Sequence, residues 1–286
     1  MIRILCIALT LLTTNTFGQN SLTNKTEPIV AEGKLLYKAE MASWYGTDLF
    51  VAKYSNRANI GGYFSYTENE TAKCIFYSSA EEPKVIGTIS FDSTYNVNTA
   101  QADLTERDFT QKENNLYEIR KRALEDLEKN EDEFYKFYRN TNPNFIPLID
   151  GDEKKVYILT GPTQNGIVIF GNDYLLEFDS ANKLISKKML HRNMIPIEYG
   201  NQPESAKVEI AMHSHTEETG EFITATDICT LMLYSKFADW KSHNVISEKY
   251  MSVWDCKTNE LNIIPMDTVE KINKNEKKRR EKKEKQ

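Results

Sequence analysis

The stretch Ala211-Met-His-Ser-His-Thr-Glu-Glu-Thr-Gly-Glu-Phe-Ile-Thr-Ala-Thr-Asp227 is the centre around which the rest of this 286-residue chain is expected to fold. The residues just before the histidines, Val208-Glu-Ile-Ala-Met212, alternate well enough to predict a buried strand. Residues two apart on a strand point to the same face, so His213 and His215 can contact one metal ion together. Two imidazoles and the Asp227 carboxylate suit a catalytic zinc ion, which keeps a further position for water. The sequence therefore predicts a zinc site formed by His213, His215 and Asp227.

A purely structural interpretation of the same stretch stays open. Thr224-x-x-Asp227 precedes an apolar run that begins at Ile228, so it is also a good N-terminal cap for a helix. A His-x-His pair can equally lie on an exposed strand without any metal. The cap and the metal site are compatible, because a cap can fix the position of Asp227.

These residues resemble the signature of the JAMM (MPN-domain) metalloproteases, which is His-x-His, seven residues, then Ser-x-x-Asp. The resemblance implies that His213, His215 and Asp227 bind zinc, and that Thr224 replaces the serine that helps to hold the tetrahedral intermediate. The loop Thr216–Ile223 has eight residues instead of seven, and Thr216 stands where many members have proline. The resemblance covers roughly residues 155–266.

The general base of that family is missing from the sequence. In the family, a glutamate on an early strand, seven residues before a glycine, activates the water. The segment Gln164-Asn-Gly-Ile-Val-Ile-Phe-Gly171 has the matching shape, so Gln164 stands where the glutamate belongs, and a register shifted by one residue would place Thr163 there. A glutamine amide can hydrogen-bond water but cannot take its proton, and general-base assistance is typically worth ~10²–10⁴ in rate. We therefore expect a metal site with weakened or lost hydrolysis.

Other carboxylates are weaker candidates for this base. Glu209 is four residues before His213, about 13 Å away at the rise of a strand. Glu177 lies on a neighbouring predicted strand, and three acids lie in the loop after the ligands: Glu217, Glu218 and Glu221. The remaining histidines, His191 and His243, are expected to be surface or packing residues.

The fold class expected is α+β, with a β-rich N-terminal region over residues 19–102. Aromatic and β-branched runs separated by polar turns predict an antiparallel meander there, including a strand at Leu49–Tyr54 after a short helix at Lys34–Trp44. A helical connector follows over residues 103–150. Its capping box, Thr110-x-x-Glu113, opens an amphipathic helix, and Phe134, Phe137 and Tyr138 continue that helix or start another.

Residues 151–266 are expected to form the JAMM-like domain, a mixed sheet with a packed helix. The patterns predict a meander over residues 155–190 with a hairpin turn at Gly171-Asn-Asp173. They also predict a helix at Asp227–Trp240 and further strands at Val208–His215, Lys249–Trp254 and Leu261–Ile264. Residues 267–286 form a basic tail with nine Lys/Arg against five acids, typical of a solvated segment.

Residues 1–18 predict a secretory signal peptide, with Arg3 before the apolar segment Ile4–Leu12 and small residues near Gly18. We therefore expect an exported protein, periplasmic or extracellular, without a membrane span. Cys74, Cys229 and Cys256 would remain after cleavage. Buried free cysteines are expected, and a Cys229–Cys256 bridge is the alternative.

Two functions of different classes follow from these patterns. The first is a zinc-dependent hydrolase that cleaves peptide or isopeptide bonds in a peptide or protein substrate. The second is a non-catalytic exported binding or interaction protein on the same fold. Nucleic acid is not an expected partner, because no aromatic residues are interleaved in the basic tail to stack on bases. Neither the substrate nor the oligomeric state follows from the sequence.

Overall fold

The structure is a computed structural model that describes residues 2–200 and 208–284, and it is of the α+β class, as expected. The α-helices among these residues are α1 (Ile2–Lys53), α2 (Gln111–Lys129), α3 (Ala225–Ala238) and α4 (Met266–Glu284). No helix among them has the length and apolar character needed to span a membrane.

The N-terminal sheet is an antiparallel meander, which confirms the prediction for this region. Its strands, in the order in which they pair, are β1 (Ile60–Glu68), β2 (Thr71–Ser78), β3 (Val85–Phe91) and β4 (Gln101–Asp103). Alternate residues of β2 point to opposite faces: Cys74 and Phe76 pack in the core that includes α1, whereas Ile75 and Tyr77 pack in the core that includes Leu116 of α2. The sheet therefore lies between two helices.

Helix α1 is much longer than the predicted Lys34–Trp44 helix, and the strand predicted at Leu49–Tyr54 is wrong because α1 continues to Lys53. A short apolar run cannot be assigned to helix or strand by its pattern alone. Here the helix is favoured because it buries Phe50, whose ring stacks on Phe76 with 3.9 Å between the centroids.

Helix α2 begins at the predicted capping box and buries Leu116, Ile119, Ala123 and Leu127, as expected. The chain leaves the helix at Asn130, which has a left-handed backbone. The prediction that Phe134, Phe137 and Tyr138 are helical is wrong, because these residues lie in an irregular segment.

The second half of the predicted connector is a strand. The strands of the middle region are β5 (Thr141–Asp150), β6 (Glu153–Pro162), β7 (Ile167–Gly171), β8 (Tyr174–Phe178), β9 (Leu184–Met189) and β10 (Met194–Glu198). One sheet has the order β5-β6-β8-β9, and β7 pairs separately with β10. Strand β5 tolerates Pro143 and Pro147 because it lies at the sheet edge, where one side needs no N–H donors. The boundary proposed at residue 150 falls in the β5–β6 hairpin.

The turn Gly171-Asn-Asp173 joins two sheets, which corrects the predicted β7–β8 hairpin. Gly171 has φ +82°, and a Cβ atom there would lie 2.2 Å from the carbonyl oxygen of Asn193. Only glycine fits this close approach. The β8–β9 hairpin forms as predicted.

The C-terminal sheet is mixed and carries a packed helix, as predicted. Its order is β11 (Ile210–Ser214), β12 (Ser242–Ile246), β13 (Tyr250–Asp255) and β14 (Glu260–Pro265). Strands β11 and β12 are parallel and are connected by α3, whereas the other pairs are antiparallel. The patterns did not predict β12. The stretch Ala211–Asp227 therefore runs from within β11 to the first turn of α3.

Candidate metal centre

Strand β11 and the residue after it place two histidines on one buried face. Burial alternates along the strand, with Ala211 and His213 buried and Met212 and Ser214 exposed. His215 continues the alternation: it is buried, and its N–H donates to the carbonyl oxygen of Ile246. The two Nε2 atoms lie 3.1 Å apart, so the predicted pair does converge.

Helix α3 supplies Asp227 through a capping box at Thr224. The Thr224 backbone N–H and hydroxyl both donate to Oδ2 of Asp227, at 2.9 and 2.7 Å. Oδ1 of Asp227 is buried and accepts no hydrogen bond, and it lies 3.5 Å from Nε2 of His213. The cap therefore fixes one carboxylate oxygen and leaves the other aimed at the histidines, so the cap and ligand interpretations hold together.

His191 is a fourth member of the cluster, and the expectation that it is a surface or packing residue is wrong. It follows β9, and its Nε2 lies 3.4 Å from Nε2 of His215 and 3.5 Å from Oδ1 of Asp227. Its sequence neighbours form no recognisable motif. Only the contact between the end of β9 and the C-terminal sheet reveals it.

Four ligand atoms from His191, His213, His215 and Asp227 lie within 4.8 Å of one another, and all four residues are buried. Five of the six pairs are 3.1–3.5 Å apart, with His215 measured to Oδ2 of Asp227 at 3.2 Å and His191 and His213 measured to Oδ1. Ligand atoms at about 2.0–2.1 Å from a tetrahedral zinc ion are separated from one another by about 3.3–3.4 Å. Most of the separations in the cluster are close to that value, so the cluster could hold a metal ion.

In each histidine of the cluster, Nε2 faces the centre and Nδ1 faces a residue outside the cluster. Nδ1 of His215 lies 3.0 Å from the carbonyl oxygen of Phe222, whereas Nδ1 of His191 makes no hydrogen bond within the described part of the chain and lies 3.6 Å from a carboxylate oxygen of Asp173, with which a protonated His191 forms an ion pair. A partner on one ring nitrogen fixes the tautomer and leaves the other nitrogen's lone pair for a metal. The carbonyl oxygen can only accept, so Nδ1 of His215 is the protonated nitrogen.

The third outer partner is His243, for which a surface or packing role was expected. It is fully buried on β12, and its ring stacks on Phe170 with 4.7 Å between centroids, which agrees with packing. Its Nε2 also lies 2.8 Å from Nδ1 of His213, a contact that the sequence did not predict. All four histidines of the chain thus belong to this centre or to its immediate support.

The electrostatics of the metal-free cluster favour an ionised Asp227, a neutral His213 and a protonated His191. Burial raises the pKa of Asp227, but the charges of His191 and His213 and the close contacts with His191 and His215 hold it well below its ordinary value. Burial lowers the pKa of His213 to about 4. Burial also lowers the pKa of His191, but Asp227 and Asp173 outweigh it and raise the pKa to about 10. Without a metal, the His191 imidazolium therefore balances the buried carboxylates, and a cation can replace that proton.

Gln164 is not brought to the cluster. It is exposed, and it lies in the turn before β7. The contact between β7 and the cluster is made by Phe170, whose ring centroid is 4.9 Å from that of His213. The strand from Ile167 to Phe170 already spans about 10 Å, and Gln164 precedes this strand, so Gln164 lies well away from the cluster. The cleft that Gln164 lines contains none of the four cluster residues.

No glutamate joins the cluster within the part of the chain that the structure describes. The candidates have other partners: Glu177 accepts from Ser186, Glu209 pairs with Lys241, Glu218 with Arg192 and Glu221 with Lys249. Glu217 is exposed. The Thr224 hydroxyl is engaged by Asp227 and lies 3.1 Å from the hydroxyl of Thr226.

The cysteines are not ligands and form no bridge. Cys74, Cys229 and Cys256 are free, the first two buried and the third half-buried, as the favoured interpretation expected. The alternative Cys229–Cys256 disulfide is absent. The donor set is therefore nitrogen and oxygen only.

Comparisons of the chain with protein-family models, with curated proteins and with solved structures gave no match. The fold and the cluster define an α+β protein with a buried three-histidine, one-carboxylate centre that could hold a metal ion. The JAMM resemblance rests on the residues of this chain alone.

Proposed function

We propose that the protein is an exported zinc-binding protein with a JAMM-like C-terminal half, whose metal site has four protein ligands and weak or no hydrolytic activity. The convergence of four buried ligand atoms within 4.8 Å of one another is the observation that carries this proposal. Three imidazole nitrogens and one carboxylate oxygen suit zinc, which prefers tetrahedral nitrogen and oxygen sites of this size.

Closure of the site argues against efficient catalysis. Catalytic zinc sites use three protein ligands and keep a position for water, whereas structural sites are filled by the protein. Here His191 takes the position that water would need. A metal bound at this place would chiefly fasten the end of β9, strand β11 and helix α3 to one another. Binding free energy of this kind adds directly to the stability of the fold.

The alternative function is a metal-dependent peptidase or isopeptidase that acts on a peptide or protein substrate. The retained His213, His215 and Asp227 set, with a hydroxyl at Thr224, is the feature that favours it. Zinc in an open site supplies a water of lowered pKa and polarises a carbonyl oxygen. This function would require His191 to leave the metal and a carboxylate to take the place of Gln164.

Export and localisation belong to the same proposal. The charge and apolar pattern of residues 1–18 supports secretion to the periplasm or the extracellular space. A site filled by histidine and carboxylate ligands needs no reduced thiol, which suits an oxidising compartment. The non-catalytic interpretation then makes the protein an exported binding or interaction protein.

Elemental analysis of the purified protein beside the His213→Ala, His215→Ala double variant tests the metal. We expect about one zinc per chain in the parent and almost none in the variant, and equal zinc in both would remove the site. For catalysis, both proteins are screened against peptide and isopeptide substrates with and without a chelator. We expect no chelator-sensitive turnover, and such turnover lost in the double variant would establish the alternative.

A further inference from the structure

A second site lies in a cleft at the junction of α1, α3 and the middle strands. The cleft, which we call the amide cleft, has a volume of about 320 Å³, and its lining includes Trp44, Asn142, Asn144, Gln164, Tyr199 and Tyr234. This volume lies within the range of small-molecule sites. Its residues are separate from the metal centre, so it concerns a different function of the chain.

The amide groups of the cleft are free to bind a ligand. Asn142 and Asn144 lie two apart on β5, so they point to the same face, and Gln164 lies in the turn beside them. None of the three side chains hydrogen-bonds to a described residue. Gly161 leaves room for the Asn144 amide, because a Cβ atom at position 161 would lie 2.8 Å from the Asn144 amide nitrogen. Each amide offers two donors and an acceptor.

Aromatic rings form another part of the wall. Trp44 of α1 and Tyr234 of α3 meet edge to face, with ring centroids 5.5 Å apart, and both are half-buried. Tyr199 is also half-buried and follows β10. Burial raises the pKa of Tyr234, so its phenol stays neutral. Half-buried rings of this kind offer an apolar face to a ligand while their polar ends reach water.

The described residues that line the amide cleft carry no charge, which limits the chemistry of its occupant. A charged ligand would lose water without gaining an opposite charge. A purely apolar ligand would leave the amides without hydrogen bonds. A pyranose sugar has a flat face of C–H groups that can stack on a ring, and each of its hydroxyl groups both donates and accepts. We propose that the amide cleft binds a neutral mono- or disaccharide.

Calorimetric titration of the full-length protein with cellobiose, maltose and N,N′-diacetylchitobiose tests this site. We expect saturable binding of at least one of these sugars, weakened about tenfold or more in Gln164→Ala and in Asn144→Ala. Asn98→Ala, at an exposed asparagine outside the cleft, is the matched control and should bind like the parent.

The metal content of every variant is measured to show that the fold and the zinc site are intact. Absence of binding for all three sugars would overturn the proposal, as would equal binding by Gln164→Ala, Asn144→Ala and the parent. An uncharged capped tripeptide is titrated in the same way. Binding of that peptide alone, lost in the cleft variants, would assign the cleft to peptides and overturn the saccharide assignment.

Discussion

Replacement of His191 by alanine separates a closed four-ligand site from an open three-ligand one. Apparent binding free energies of structural zinc sites are about 10–16 kcal/mol for four ligands, so one ligand contributes on the order of 3 kcal/mol. In His191→Ala we therefore expect zinc affinity to fall about a hundredfold or more. The site should still bind, because His213, His215 and Asp227 keep their separations of 3.1–3.5 Å.

The same loss appears in thermal stability. At a zinc concentration well above both dissociation constants, a hundredfold weaker site lowers the free energy of unfolding by about 2.7 kcal/mol. For a chain of this size that corresponds to a decrease in Tm of roughly 4–5 °C. Alanine also leaves Asp173 without its His191 partner, which destabilises the metal-free protein separately. The informative quantity is therefore the zinc-induced rise in Tm of each protein.

The assay is a competition titration with a chromophoric zinc chelator, combined with thermal unfolding of metal-free and zinc-loaded protein. The control is Arg192→Ala, since Arg192 is the exposed neighbour that pairs with Glu218 and lies outside the cluster. Equal zinc affinity and an equal zinc-induced rise in Tm for His191→Ala and the parent would refute the fourth ligand and reopen the catalytic interpretation.

Three further predictions follow from the contacts. Asp173→Asn should weaken zinc binding by about 10–100-fold in the chelator competition, because Asp173 orients His191, and an unchanged affinity would deny it that role. Burial raises the pKa of Glu40 from 4.5 to about 7, although the charge of Arg120 acts to lower it. Between pH 4.5 and 7 the Glu40 carboxyl is therefore protonated in the folded state and ionised in the unfolded state. The free energy of unfolding should therefore fall by up to about 3 kcal/mol as the pH rises from 4.5 to 7. Denaturant titrations of Glu40→Gln should show a flatter pH dependence, and a pH dependence as steep as that of the parent would contradict this role of Glu40. Gln164→Glu should leave hydrolysis at background, because residue 164 is exposed and outside the cluster, and metal-dependent turnover in this variant would show that it does reach the metal.

The part of the site that lies close together in sequence could be predicted. His213 and His215 share a strand face by periodicity, and Asp227 is fixed by a local capping box with Thr224, so short-range rules were sufficient. His191 could not be found, because its place depends on where β9 ends relative to another sheet. The same holds for His243, which reaches His213 only because β12 pairs in parallel with β11.

The fold likewise contains elements that local patterns predict and elements that they do not. The antiparallel meander, α2 with its capping box and the β8–β9 hairpin follow from local patterns. The elements that were predicted wrongly are those whose structure depends on tertiary packing. Phe50 belongs to a helix because Phe76 receives its ring, and Pro143 and Pro147 fit a strand because that strand lies at an edge. Strand β7 pairs with β10 instead of β8 because the turn at Gly171 redirects the chain.

X-ray absorption spectroscopy of the zinc-loaded protein reports the number and type of ligand atoms around the metal. We expect four nitrogen or oxygen ligands at about 2.0–2.1 Å, with the multiple-scattering pattern of three imidazoles that falls to two in His191→Ala. A spectrum with sulfur ligands, or one with only two imidazoles in the parent protein, would contradict it.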